Sequence, residues 1–309
     1  MKAGIGEKKL HSVRNAWTKY MLPFKAGRIG CVAFFAAAFL VWMDLRLAVI
    51  PLGVFVILCI AAAFIPSSSF FLPVISRGVC CRKAVALTFD DGPDPLTTPV
   101  LLRLLKKYQA AGTFFVTGQR VVRYPELVQE ILAEGHSLAN HSFHHDALSA
   151  FRSSRTMRRE IEATQQALRD FGIVALAYRP PMGITTPQLH KALKAEGMYV
   201  VNFRRRAWDG GNRWIRNLSK RILKHLRPND ILLLHDRLPY PSLLSSWTAE
   251  MDQVLRGIQE KSLEVIPLPD LIGRPVMIPA RGDPNVLRDP NRGSPSLAAA
   301  DMKPIRPIR

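Results

Sequence analysis

Five places in this chain gather side chains able to bind a cation or move a proton. Asp90 and Asp91 adjoin in Thr88-Phe89-Asp90-Asp91-Gly92-Pro93, and neighbouring carboxylates both stay ionised comfortably only beside a cation or a cationic side chain. His141 and His145 are four apart, so one helical turn would bring both imidazoles to one face, as a metal clamp requires. Two imidazoles and one carboxylate leave positions open on a metal, the arrangement of a catalytic rather than a structural site. Arg179-Pro180-Pro181-Met182-Gly183, Trp208-Asp209-Gly210-Gly211 and Leu233-Leu234-His235-Asp236 add a guanidinium, a further carboxylate and a third imidazole. Singly, each has an ordinary explanation: a solvated Asp-Asp turn, surface histidines, an arginine paired with a surface acid, a core histidine. All five in order, each at the end of a strand-like stretch, is not a chance pattern.

The elements that must position them alternate in type. Ala84 to Phe89 reads as a buried strand, and Val100, Leu101, Leu104, Leu105 and Tyr108 then recur at helical spacing. Thr113 to Val116 and Ser137 to Ala139 are strand-like, with a helix from about Pro125 to Glu134 between them and a long charged helix from Ser153 to Phe171 after them. Ile173 to Ala177, Tyr199 to Phe203, Ile231 to Leu234 and Leu263 to Ile266 supply further strands. Repeated strand-then-helix units predict a parallel sheet, and this many favour a closed or nearly closed β/α barrel, whose reactive groups collect at strand ends.

In order, Thr88 to Pro93, His141 to His145, Arg179 to Gly183, Asp209 and Leu233 to His235 resemble the motifs of the NodB-homology polysaccharide deacetylases, carbohydrate esterase family 4. The resemblance covers roughly Ala84 to Pro269. It implies an α/β fold, a distorted and incomplete (β/α) barrel, and hydrolytic removal of N-acetyl groups from an amino sugar in a polysaccharide or a lipid-linked glycan. It also implies that Asp91, His141 and His145 hold a divalent ion, zinc foremost, which polarises the amide carbonyl and acidifies a water. Asp90 would be the general base, with Arg179 hydrogen-bonded to it, and His235 the general acid, with Asp209 orienting it. Leu233 would line the pocket for the acetyl methyl, with Pro181, Met182 and Gly183 also on the substrate and backbone N–H groups helping to bind the oxyanion. Two departures touch the groove more than the metal: Met182 stands where an aromatic residue is common, and Trp208 precedes Asp209 where the family has an aspartate followed by tryptophan. His144 and Asp146 read as non-ligands beside the clamp.

Outside this region the chain is basic and apolar by turns. With 43 Lys+Arg against 24 Asp+Glu the formal charge is +19, a balance that favours anionic partners. No zinc-finger, ribonucleoprotein or basic leucine-zipper pattern is present, so nucleic acid is not the expected partner, and a membrane surface fits better. A basic segment over 1–28 precedes a membrane hairpin over 29–75, with spans at about 29–45 and 47–65 around Asp44-Leu45-Arg46, and a linker over 76–83. The second span matches the roughly 30 Å of a hydrocarbon core, and the pair is expected as an uncleaved multi-pass anchor rather than a signal peptide. Two crossings return the chain to the side of its basic N-terminus, which the positive-inside tendency makes cytoplasmic. A catalytic domain over 84–272 follows, and the Pro- and Arg-rich composition over 273–309 predicts a disordered tail. The four cysteines form no disulfide or zinc pattern. Two functions compete with sugar deacetylation: a metal-dependent amidase on a non-sugar substrate, and a silent membrane-anchored carbohydrate-binding protein, which the intact Asp90, Asp91, His141, His145 and His235 argue against.

Overall fold

The computed structural model describes residues 25–280. The basic lead before Lys25 and the sequence beyond Ala280, where most of the expected tail falls, lie outside the described residues. Two helices come first, α1 (Lys25–Met43), which begins four and ends two residues before the expected first span, and α2 (Leu45–Ala63), two residues ahead of the expected second span at both ends. Only Asp44 separates them, and its side chain accepts the Arg46 N–H at 2.8 Å, capping α2. Each has 19 residues, about 28 Å of helix, with mean hydropathy of 1.8 and 2.5, long and apolar enough to cross a membrane. Their packing is inverted relative to a soluble core. Small residues such as Ala33, Ala37 and Ala48 are buried, Gly30 lies against the Phe55 ring, and large ones such as Phe35, Trp42 and Val49 face outward.

The remaining elements form a curled parallel sheet wrapped by helices. They are β1 (Val74–Ile75), β2 (Ala84–Asp90), α3 (Thr98–Lys107), β3 (Gly112–Val116), α4 (Gly118–Arg123), α5 (Pro125–Ala133), β4 (Ser137–Asn140) and α6 (Ser154–Arg169). Then come β5 (Ile173–Ala175), β6 (Ala177–Tyr178), α7 (Pro187–Glu196), β7 (Tyr199–Val201), β8 (Arg205–Arg206), α8 (Leu218–Leu223) and β9 (Ile231–His235). The last are α9 (Leu244–Glu260), β10 (Glu264–Val265), α10 (Leu268–Ile272) and β11 (Met277–Pro279). The sheet runs β1-β7-β6-β4-β3-β2-β9-β8, with β10 also paired to β2. Although β7 and β8 lie near opposite ends of that order, only Asn202, Phe203 and Arg204 join them. Four peptide steps reach at most about 14 Å, so the sheet has to curl until its ends nearly meet. The result is the incomplete barrel that the sequence motifs imply.

Side-chain parity then decides what faces inward. Along β2, Val85, Leu87 and Phe89 join the outer core beneath the helices, and Ala84, Ala86, Thr88 and Asp90 turn into the barrel. In β9 the inner set is Ile231, Leu233 and His235. Alanines at 84, 86, 139 and 177 keep the lower interior narrow, which leaves the strand ends for the polar groups.

Four boundaries differ from expectation. Strand β1 lies within the stretch assigned to the hairpin and pairs with β7, and the expected linker is tied down through Gly78 N–H to Asn229 O (2.8 Å) and Val79 N–H to Leu271 O (2.9 Å). The barrel therefore begins before Ala84. The segment Ile173 to Ala177 splits in two, because β6 stays in the sheet while β5 pairs antiparallel with β11. Finally, β11 gives structure to part of the region expected to have none. Met277 is half-buried and meets Ala175, an apolar contact that a scan for proline and charge does not register.

Candidate active site

Asp90 and Asp91 end β2 and part company there. Asp90 continues the inward parity, whereas Asp91 has φ of 72°, a left-handed conformation that swings its carboxylate away from its neighbour's. The close approach of Asp236 to Gly92 leaves no room for a Cβ at the next position. Asp236 in turn accepts from the hydroxyls of Thr97 (2.7 Å) and Thr98 (2.6 Å), fastening the end of β9 to the start of α3. Burial pushes the Asp236 carboxyl up to about 8, against the opposing pull of those two hydroxyls.

Asp90 meets Arg179 across the barrel. The fully buried guanidinium donates from Nη1 to Asp90 Oδ1 (2.6 Å) and Thr88 Oγ1 (2.8 Å), and from Nε and Nη2 to the carbonyls of Val201 (3.1 Å) and Asn202 (3.3 Å). It also lies 3.9 Å from the Phe115 ring centroid. Such a network is what a buried arginine needs, since without it desolvation would be costly.

His141 and His145 come together without a helix, contrary to the expectation of a helical turn. After β4 the chain enters an irregular loop in which Ser142 and His145 take positive φ of 66° and 55°, and the two rings stand 4.8 Å apart. Asn140, whose carboxamide accepts the Ser142 N–H at 3.0 Å, helps hold this bend. His141 Nδ1 donates to Arg179 O at 2.8 Å, which leaves Nε2 with its lone pair free. That Nε2 lies 3.5 Å from Asp91 Oδ1, and His145 Nε2 lies 3.2 Å from the same oxygen. Asp91 Oδ1 is buried and accepts no hydrogen bond. Burial alone would raise the Asp91 carboxyl, but the close approach of the His141 imidazole and the charges of His145, His235 and His141 hold it far below the usual carboxylate range. Burial also pulls His141 down, yet Asp90 and Asp91 carry it up, while His145 falls through burial and repulsion from His141. The pocket thus favours positive charge, and its ligand atoms lie within 4.8 Å of one another. The donor set fits a divalent ion such as zinc.

His235 ends β9, level with Asp90 in the sheet register. Its Nδ1 donates to Asp209 Oδ2 at 3.0 Å. Burial pulls the imidazole down, but the hydrogen bond and charge of Asp209, then the charges of Asp91 and Asp90, raise it to about 9. Asp209 itself is pushed up by burial and more than brought back down by His235 and by the Asn212 N–H. Leu233, two residues before His235, faces the same interior and is buried.

Around the mouth, Pro181 and Gly183 are buried, whereas Met182 is 62% exposed in a left-handed conformation (φ 60°, ψ 0°). Asn202 donates to Gly183 O (3.2 Å) and Pro66 O (2.7 Å), and Thr185 N–H donates to Ala63 O (3.2 Å), so the end of α2 is docked on the loop that follows Arg179. His144 turns away to Glu160 and Asp146 to Arg152. Sequence reasoning missed Asn212, which donates to the carbonyls of His235 (2.9 Å) and Arg237 (2.8 Å). It also missed Thr88, Asn202 and the Thr97–Thr98–Asp236 clasp. Thr88 was detectable as the one polar side chain within an apolar strand, which must find buried partners.

Known proteins fit this picture. The family profile described as polysaccharide deacetylase matches residues 78–201. A peptidoglycan-N-acetylglucosamine deacetylase of Bacillus cereus is 35% identical over 157 residues, covering 50% of this chain and 73% of the relative. A chitooligosaccharide deacetylase of a Bradyrhizobium species is 33% identical over 199 residues, covering 61% and 90%. The crystal structure of the Bc1960 peptidoglycan N-acetylglucosamine deacetylase superposes with a TM-score of 0.59 at 26% identity, covering 66% of this chain and 94% of that one. With fold, motif order and relatives in agreement, the chain belongs to the polysaccharide deacetylase family, NodB-type enzymes of carbohydrate esterase family 4 that act on the amide bond of N-acetylated sugars.

Proposed function

We propose that the protein is a membrane-anchored, metal-dependent deacetylase of an amino sugar, with Asp91, His141 and His145 holding the ion and zinc the foremost candidate. The observation that carries this reading is Asp91 Oδ1, buried without a hydrogen bond and facing the Nε2 atoms of two histidines. A bound divalent ion supplies Lewis acidity there, polarising the acetamido carbonyl and acidifying water. Asp90 takes the proton of the attacking water, with Arg179 steering the carboxylate and supplying its counter-charge. His235, held in one tautomer by Asp209, returns a proton to the leaving nitrogen. Leu233 walls the acetyl methyl, and Pro181, Met182 and Gly183 flank the sugar at the rim.

The leaving nitrogen needs a protonated His235, so turnover falls as pH rises through the pKa of this imidazole. An ion beside Asp91 lowers that pKa from the metal-free value of about 9, so the informative quantity is a difference between two loaded proteins. Acetate release from an N-acetylglucosamine oligomer by the Asp209→Asn protein is expected to lose its alkaline limb at lower pH than the wild type. Coincident limbs would remove Asp209 from this role, and no acetate from the wild type at any pH, from the oligomer or from a lipid-linked N-acetylated sugar, would remove the deacetylase reading.

Anchoring is supported by the outward-facing large side chains of α1 and α2, which suit lipid and not water. Two crossings leave the N-terminus and the barrel on one side, where Arg28, Arg77, Arg82 and Lys83 flank the spans, the side expected to be cytoplasmic. A reporter joined after Arg309 is then active in the cytoplasm, and one active only outside it contradicts this orientation.

A further inference from the structure

A second cavity, unused by the chemistry above, opens where the hairpin meets the barrel. It measures about 600 Å³, within the range of small-molecule sites, and Phe64 and Ile65 form one wall. The other wall is basic: five of its side chains are arginine or lysine, and among the described residues no carboxylate lines the cavity. Two of the five are engaged within the fold, Arg205 with Asp230 at 2.8 Å and Arg221 with the carbonyls of Ala207, Trp214 and Arg216. The side chains of Arg204 and Lys224 are exposed and, among the described residues, make no hydrogen bond or ion pair, and the Arg206 guanidinium lies 3.3 Å from the centroid of Trp208, itself 69% exposed. Like charges around one cavity repel until an anion enters, and guanidinium and ammonium groups together suit phosphate oxygens.

Position narrows the ligand further. Phe64 and Ile65 follow α2 directly and are exposed, and Trp208 and Trp214 are exposed nearby, as aromatic side chains are at the depth of lipid headgroups. The cavity's lining is tied to the catalytic groups through the sheet and the chain. Arg206 is level with Leu233 in the sheet, and Asp209, the residue after Trp208, holds His235. An anionic group held by Arg206 would thus sit on the strand next to the one that carries the proposed general acid.

We propose that the cleft binds the phosphate or diphosphate joining an N-acetylated amino sugar to a lipid, so that the substrate is a lipid-linked sugar taken at the membrane surface. This rests on the deacetylase reading and supplies its substrate class. The test uses the full-length, metal-loaded protein in neutral detergent micelles and three probes: farnesyl diphospho-N-acetylglucosamine, farnesyl N-acetylglucosaminide without phosphate, and inorganic pyrophosphate. The first is expected to bind at least tenfold more tightly than either other probe. In the Arg204→Gln/Lys224→Gln protein that advantage is expected to shrink at least tenfold, because two charged phosphate contacts are lost. Both positions are exposed, so the fold is expected to survive, and unchanged ellipticity checks it. Equal affinity for the phosphate-free glycolipid, equal affinity for pyrophosphate, or an unaltered double variant each overturn the proposal. Phosphate-dependent binding without acetate release supports the cleft and instead sinks the deacetylase reading, so the two failures are distinct.

Discussion

Asp90→Asn is expected to lower kcat by about 10²–10⁴-fold, the range associated with a lost general base, while leaving the bound metal at its wild-type stoichiometry. The asparagine keeps the volume and an oxygen to accept from Arg179, which retains Thr88 and the carbonyls of Val201 and Asn202 as further partners. What it cannot do is accept a proton from water. KM is expected to change little, because the loss falls on the transition state and not on sugar binding. Metal analysis of the purified variant beside its acetate-release rate checks both halves, and undiminished turnover would remove Asp90 as the base.

His141→Ala strikes the same site differently. It removes one of two imidazoles facing Asp91 Oδ1 and breaks the hydrogen bond to Arg179 O. Metal affinity is expected to fall by more than the roughly 10–100-fold that loss of an outer-shell partner costs, and turnover with it. The neighbouring His144→Ala serves as the contrast. His144 is exposed and bonded to Glu160, so its loss is expected to leave metal content unchanged. Wild-type stoichiometry in the His141 variant, measured by elemental analysis after dialysis, would refute its role as a ligand.

Why these residues were legible in the chain is a matter of parity. Asp90 and His235 close β2 and β9 in phase with Ala86 and Leu233, and His141 and Arg179 follow β4 and β6 in phase with Ala139 and Ala177. An alternating apolar pattern that stops on a polar residue therefore points that residue into the barrel mouth. The local backbone was not legible in the same way. The left-handed turn at Asp91 and the irregular loop carrying His141 and His145 depend on tertiary contacts, and a four-residue spacing read as helix was met by a loop instead. Asn212 acts through its carboxamide on two distant carbonyls, a role that no spacing encodes. Strands β1 and β8 have two residues each, too short for any period, and β11 sits among prolines. The hairpin itself was plain from hydropathy, but its docking on the loop after Arg179 was not, because it rests on backbone carbonyls of Ala63 and Pro66.

The most direct test strips the full-length protein of metal and follows acetate release from an N-acetylglucosamine oligomer as a divalent ion is titrated back. Release is expected to be absent at first and to saturate at one ion per chain, with no recovery in the His141→Ala protein over the same range. Acetate released at full rate by the stripped protein, or none at any ion concentration from either the oligomer or a lipid-linked N-acetylated sugar, would contradict the assignment of Asp91, His141 and His145 as the centre of a metal-dependent deacetylase.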